Sequence, residues 1–378
     1  MKSFTSVSRT ACLLAPLVAT VLVACSGGSN QPKPTELTAV PALVSARQAW
    51  SARVGAVNFP LGVHVSGNSV TVAASDGTVA ALNAQTGQDV WRVKLAGPLA
   101  AGVGSDGRVA AVVTQSNDVV ALQDGRELWR SKLSAQVFTP PLVAGGRVFV
   151  LAADRTVHAF DGQDGRKLWT QQRPSEPLVL RQAGVLLAVG DTLVAGLSGR
   201  LAGLDPANGN ARWEAPIASP RGINDIERLV DLVAPVSRVG STVCARAFQA
   251  AVGCVNTDRG GLVWTKPANG DRGLDGDALT VFGTEADSTV TAWRRTDGER
   301  SWTTDRLRFR SLTAPAVVGR SLVVGDFAGL VHLISREDGS LLNRLATDGS
   351  AIVSTPVLAG DTLVVVTRNG GVFGFVPQ

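Results

Sequence analysis

The 378-residue chain is poor in the side chains that build catalytic and metal centres. It has no tyrosine, one methionine, three histidines and four cysteines. Only 18% of its residues are charged, which is too few for a coiled coil, and its 45% hydrophobic content excludes a disordered chain. The net charge of +5 is spread along the chain without basic runs, so nucleic-acid binding is not expected.

The N-terminal segment has the pattern of an export signal. Lys2 and Arg9 precede an apolar run over residues 11–24. This run is about 14 residues long, shorter than the roughly 20 that span a bilayer as a helix. It ends in the sequence Leu-Val-Ala-Cys at Cys25, which resembles the lipobox of bacterial lipoproteins. The resemblance implies that residues 1–24 are removed and that Cys25 is lipidated. The alternative is a plain secreted protein with an incidental cysteine.

The stretch after Cys25 predicts a flexible, lipidated tether over residues 25–45. It is rich in Gly, Ser, Pro, Gln and Thr, a composition typical of linkers. Ser26 follows the cysteine where lipoproteins retained in the inner membrane have Asp, which fits forwarding to the outer membrane. No other stretch of the sequence is long and apolar enough to span a membrane.

An internal repeat of about 40 residues governs the rest of the chain. Its mark is a tryptophan four residues after a glycine, seen at Trp91, Trp129, Trp169, Trp213, Trp264 and Trp302. A seventh copy keeps Gly339 but has Asn343 at the tryptophan position. Asp, Asn or Thr before most of the glycines is turn chemistry, so each glycine is expected to close a hairpin and each tryptophan to lie in the strand that leaves it.

Each repeat unit reads as four short strands separated by turns, which predicts an all-β fold and, at this period, a β-propeller. Three strands follow the last unit without a fourth, and residues 47–51 form a tryptophan-bearing strand with no partners before it. We therefore predict an eight-bladed β-propeller of four-stranded antiparallel blades over residues 46–378. Its ring is closed by the N-terminal strand, which completes the last blade. An array of β-sandwiches is the alternative.

The few candidates for chemistry favour structural roles. His158 and His332 occupy a repeat position that accepts alanine in other copies, which indicates a packing or surface position. Asp161 and Asp164 lack the further ligands of a calcium loop and are typical of a turn. Neither a metal nor another cofactor is expected.

Cys244 and Cys254 are expected to lie opposite each other on two adjacent strands of the fifth unit. In an exported protein, a disulfide is the expected state of such a pair. A redox-active pair or a metal site remains the alternative. Cys12 lies in the signal segment.

Two insertions interrupt the repeat, at residues 173–181 and 220–231. Insertions in a repeat protein map to loops on one face, which is often the binding face. Both insertions mix leucine or isoleucine with charged residues. Such loops either tuck back onto the ring or anchor a partner, and composition does not distinguish the two.

The lipobox, tether, repeat and insertions together resemble the BamB family of outer-membrane β-barrel assembly lipoproteins. The sequence Leu178-Val179-Leu180-Arg181 is similar to the family's Leu-x-Leu-Arg motif, and residues 226–231 are similar to its Ile-Asp-Arg-Leu-Ser-Asp segment. The resemblance implies that Leu178, Leu180, Arg181 and Asp231 bind the periplasmic POTRA domains of BamA, the barrel insertase. Val233 stands where the family uses a second acid.

The resemblance thus implies a non-catalytic scaffold, anchored by lipid to the periplasmic face of the outer membrane. Its expected partners are the insertase, other subunits of the assembly complex and, by conjecture, unfolded outer-membrane proteins. A quinoprotein dehydrogenase is one competing interpretation, although no adjacent cysteine pair occurs here. A scaffold of another envelope complex is the other.

Overall fold

The computed structural model describes residues 1, 3–4, 32–172, 178–220, 223–225 and 228–378. The chain divides into two compact units, Met1–Lys33 and Pro34–Gln378, and all of the strands belong to the second. That unit consists of eight four-stranded antiparallel sheets. The part of the chain that is described contains strands and turns but no helix, and so no helix long and apolar enough to cross a membrane.

The blades are numbered in chain order. The first four are β2–β5 (His64–Ser66, Ser69–Ala73, Thr78–Asn83, Asp89–Lys94), β6–β9 (Leu99–Ser105, Val109–Thr114, Asp118–Gln123, Arg126–Lys132), β10–β13 (Leu142–Ala144, Arg147–Leu151, Val157–Asp161, Lys167–Gln171) and β14–β17 (Leu186–Val189, Thr192–Leu197, Arg200–Leu204, Ala211–Pro216).

The next three are β18–β21 (Leu232–Val239, Thr242–Ala247, Ala251–Asn256, Gly261–Pro267), β22–β25 (Leu274–Gly276, Thr280–Thr284, Val290–Arg294, Arg300–Thr304) and β26–β29 (Ala316–Val318, Ser321–Gly325, Leu330–Ser335, Leu341–Ala346). The eighth blade combines β30–β32 (Val357–Ala359, Thr362–Val366, Gly371–Pro377) with β1 (Ala46–Arg53).

The first strands of neighbouring blades contact one another around the ring, for example β6 with β10 and β22 with β26. The ring closes through β1, which pairs antiparallel with β32 from Ala46 opposite Pro377 to Arg53 opposite Gly371. The predicted eight-bladed propeller and its closure by an N-terminal strand are therefore confirmed. Buried aliphatic side chains fill the spaces between adjacent blades.

The repeated tryptophan and glycine belong to a contact between neighbouring blades. Trp129 in the second blade donates its indole N–H to the carbonyl of Gly162 in the third, at 3.0 Å. A Cβ added at Gly165, whose φ is +72°, would lie 2.5 Å from the same indole. The same donation to the next blade occurs in four other copies, Trp50 to Ala84, Trp169 to Pro206, Trp264 to Arg295 and Trp302 to Arg336. The glycine thus makes room for the tryptophan of the preceding blade.

The segment before β1 lies along the outer edge of the seventh blade, and we call residues 35–44 the strap. The N–H of Thr35 donates to the carbonyl of Arg308 at 3.0 Å, and the N–H of Leu43 donates to that of Leu342 at 2.9 Å. The side chains of Leu37 and Val44 pack against buried clusters. Composition predicts a flexible tether here. The strap is instead attached to the ring, because the few apolar residues of this polar stretch pack against buried side chains of the propeller.

The strap also explains the copy of the repeat that lacks tryptophan. Asn343 of β29 stands at the tryptophan position and donates its Nδ2–H to the carbonyl of Val44 at 2.7 Å. The seventh blade is thus connected to the chain entering the eighth by a short amide in place of an indole.

Candidate functional site

Strand direction brings the two insertions to one end of the ring. In an antiparallel blade the connection to the next blade and the turn between the second and third strands lie at the same end. Residues 172–185 connect β13 to β14, and residues 217–231 connect β17 to β18. Of these insertions, residues 173–177, 221–222 and 226–227 lie outside the described residues.

Leu178, Leu180 and Arg181 lie close together on this end. Leu178 is 37% exposed, Leu180 is half-buried and Arg181 is exposed. The guanidinium of Arg181 lies over the ring of Phe138, 5.4 Å from its centroid. An arginine held over an aromatic face keeps its charge available while its stem covers apolar surface.

Phe138 was not identified from the sequence. It lies in the connection between β9 and β10, which carries no insertion, and it is half-buried. The only sequence signal for Phe138 was its place in a Phe-Thr-Pro-Pro run before a strand. Such a run is equally typical of a phenylalanine that packs in the core. The site is therefore built from three successive connections between blades.

Asp231 faces the loop of residues 178–181. Its Oδ1 accepts a hydrogen bond from Nη2 of Arg155 at 2.9 Å, and its Oδ2 accepts one from the N–H of Leu180 at 3.1 Å. Nη2 of Arg155 also donates to the carbonyl of Leu178 at 3.3 Å. The two insertions are thus joined by a charge-assisted network.

The base of the site is joined by backbone contacts. Gly184 pairs with Val233 in an isolated antiparallel bridge, and its N–H donates to Oγ1 of the buried Thr139 at 2.9 Å. The N–H of Ala234 donates to the carbonyl of Ala183 at 2.9 Å. Val233 is 2% exposed. The position where the family resemblance leads one to expect a second acid therefore belongs to the core.

The other sequence candidates take structural positions. His158 and His332 are buried in β12 and β28, as their packing interpretation requires. Oδ1 of Asp161 accepts a hydrogen bond from the N–H of Gln163 at 2.9 Å, which confirms the turn. Cys25 and Cys12 lie outside the described residues, as does almost all of the signal segment.

The two remaining cysteines are joined in a disulfide. Cys244 on β19 lies directly opposite Cys254 on β20, and the two sulfur atoms are bonded. Both residues are fully buried between the fifth and sixth blades, among apolar side chains that include Trp264 and Trp293. Guanidinium Nη1 of Arg295 lies 3.2 Å from Sγ of Cys244.

The rest of the described surface offers no clear catalytic or metal centre. Within the described ranges, no group of three or more His, Cys, Asp or Glu side chains could hold a metal ion. A cleft of about 570 Å³ lies between the fourth and fifth blades. The charges in or beside it balance, with Arg212, Arg238 and Arg259 against Asp191, Asp205 and Asp258. Nothing in this lining selects an ionic ligand.

Comparison with known proteins places the chain in a family. A family model described as "Outer membrane protein assembly factor BamB" matches residues 75–304. A protein of that name from Burkholderia pseudomallei (strain K96243) is 38% identical over 373 residues, covering 97% of both chains. The chain belongs to the BamB family. A further BamB, from Bordetella pertussis, is 36% identical over 364 residues and covers 94% of both chains.

Solved structures agree on the fold of this BamB family member. BamB from Moraxella catarrhalis superposes with a TM-score of 0.80 at 23% identity, covering 88% of this chain and all of that one. Quinohemoprotein alcohol dehydrogenase from Comamonas testosteroni gives a TM-score of 0.69 at 13% identity, covering 89% and 77%. At such identities the likeness shows the propeller fold alone. The relatives by sequence are assembly factors, and the chain is a non-catalytic member of their family.

Proposed function

We propose that the chain is a lipid-anchored scaffold of the outer-membrane β-barrel assembly complex, held on the periplasmic face of the outer membrane through Cys25. In this proposal, Leu178, Leu180 and Arg181 bind the periplasmic POTRA domains of the barrel insertase BamA. Other subunits of the complex and unfolded outer-membrane proteins are further proposed partners. No nucleic acid or cofactor takes part.

The observation that carries the proposal is the family membership combined with a Leu-x-Leu-Arg sequence whose Leu178 and Arg181 are exposed on one end of the ring. Leu178 offers apolar surface that is not fully covered. Arg181 lies beside it over Phe138, in reach of a partner's carboxylate. Arginine and aromatic side chains beside a buried apolar contact are typical of the residues that dominate interface energetics.

Reversing the charge of Arg181 tests this assignment. Arg181→Glu is expected to weaken binding of the purified POTRA domains by at least about thirtyfold, because it replaces an attractive charge at the centre of the contact with a repulsive one. Titration calorimetry measures the loss directly. Co-purification of the insertase from envelope extracts measures it in the lipidated protein.

The matched control is Arg259→Glu, which makes the same charge change on an exposed turn between β20 and β21 at the other end of the ring. It should leave binding unchanged. Equal binding by wild type and Arg181→Glu, with both folded, would remove this loop from the proposed interface.

A further inference from the structure

Arg155 occupies a backbone position that disfavours a long side chain. In six blades, the turn between the second and third strands has a residue with positive φ, whose N–H donates to the carbonyl three residues earlier. These residues are Gly77, Asn117, Arg155, Ser288, Gly329 and Gly370. Glycine and, to a lesser extent, asparagine tolerate this conformation. Arg155, with φ of 60°, is the only member of this set with a long side chain. Strain of this kind persists where surrounding interactions compensate for it.

The interactions that compensate for the strain at Arg155 are made with residues of both insertions. Its guanidinium reaches the carboxylate of Asp231 and the carbonyl of Leu178. The side chains of Arg155 and Asp231 are only 7% and 17% exposed. The second oxygen of Asp231 holds the N–H of Leu180. A single buried ion pair therefore fixes the backbone on both sides of Val179.

We propose that Arg155 is a positioning residue for the binding surface and that Asp231 acts inward, through Arg155 and Leu180, without touching the partner. This inference rests on the proposed function of the Leu-x-Leu-Arg loop. A buried ion pair contributes little net stability because its desolvation offsets its attraction, but its directional bonds specify one arrangement. That arrangement holds Leu178 and Leu180 where the partner requires them.

The sharpest variant is Arg155→Gly, because glycine occupies the same turn position in three other blades. It removes the ion pair while relieving the backbone strain, so the propeller should stay folded. Binding of the POTRA domains should weaken about tenfold. Arg155→Lys, which keeps the charge on a single donor group, should restore part of the affinity.

A double-mutant cycle distinguishes an inward from an outward role for Asp231. If Asp231 acts through Arg155, Asp231→Ala should cost little further affinity in the Arg155→Gly background. If Asp231 touches the partner, the two losses multiply. The control is Arg310→Met, which breaks another buried pair, Arg310 with Asp326 at 2.7 Å, between the sixth and seventh blades and away from the loop. It should lower stability and leave binding unchanged.

Amide hydrogen exchange at Leu180 in the free protein provides a measurement that needs no partner. The Arg155→Gly and Asp231→Ala variants should both exchange this amide faster than wild type. Unchanged exchange in both, or multiplicative losses in the cycle, would overturn the positioning role. If wild type does not bind the POTRA domains, the proposed function fails, and the exchange rates alone decide whether Arg155 orders the loop.

Discussion

His332 is the most deeply buried ionisable ring of the chain, and its side-chain partner is Asp326 of the same blade. Its Nε2 lies 3.0 Å from Oδ2 of Asp326, which also accepts Nε–H of Arg310 at 2.7 Å. The N–H groups of Ala328 and Leu330 donate to the other oxygen of Asp326. Burial opposes ionisation of the carboxyl, but these donors hold the pKa of Asp326 below its usual value.

This burial predicts a loss of stability in mild acid. Desolvation lowers the pKa of His332 and outweighs the attraction of Asp326. The unfolded chain therefore binds a proton below about pH 6.5 that the native state does not, so stability falls as pH drops. Burial also lowers the pKa values of His64 and His158, which adds to the effect.

Urea unfolding at pH 7.5 and 5.5 measures this loss, and His332→Gln should reduce it. Glutamine can keep a donor to Asp326 but does not titrate. The share removed should be at most about 1.4 kcal/mol per pH unit. An identical pH dependence in wild type and His332→Gln would show that His332 does not contribute.

At the scale of the element, the strap behaves as part of the ring. Its backbone joins the connection between the sixth and seventh blades at Thr35 and the seventh blade at Leu43, and Asn343 holds it where other blades have a tryptophan. Arg344 and Arg310 donate to the carbonyls of Thr38 and Thr35. The linker-like composition of the strap predicts a segment without such contacts, whereas these hydrogen bonds attach it to the ring.

Removal of the strap should therefore destabilise the propeller. A chain that begins at residue 45 should be about 1–3 kcal/mol less stable than one that begins at residue 34, because several hydrogen bonds and the burial of Leu37 and Val44 are lost. Guanidinium unfolding followed by tryptophan fluorescence compares the two. Coincident unfolding curves would mean that the strap contributes nothing.

Elements with a short-range signal could be predicted, and contacts between distant segments could not. Six copies of the Gly-x-x-x-Trp repeat carry both halves of the contact between blades. Together with the seventh copy and the matching surplus and missing strands at the two ends of the chain, they predicted eight blades. The sequence could place Asp231 in the site. It could not predict the ion pair of Asp231 with Arg155, which is 76 residues earlier in the chain. Only the closed ring brings that turn beneath the two insertions. The contacts of the strap were missed because its partners lie about 300 residues away in the sequence.

At the scale of the whole molecule, the ring depends on one strand that comes from the far end of the chain. β1 pairs with β32 over seven residue pairs, and Trp50 of β1 donates its indole N–H to Ala84 in the first blade. The eighth blade therefore connects to the first through a residue contributed by the N-terminus.

Deletion of residues 1–53 should open the ring. It removes the outer strand of the eighth blade and Trp50, and it exposes the edge of β32 to pairing with other chains. We expect loss of the cooperative thermal transition and association into large species, measured by calorimetry and size-exclusion chromatography. The chain that begins at residue 34 serves as the control and should melt as the full-length chain does. A monomeric, cooperatively melting protein without β1 would contradict this dependence.

The position of the strap has a mechanical consequence. A pull on the N-terminus is transmitted first to the contacts of the strap with the seventh blade and only then to the β1–β32 ladder. The strap lies in series ahead of the ring closure, so it bears load before the propeller can be unzipped. A protein held by its N-terminus would thereby keep its ring intact under forces that strip only the strap.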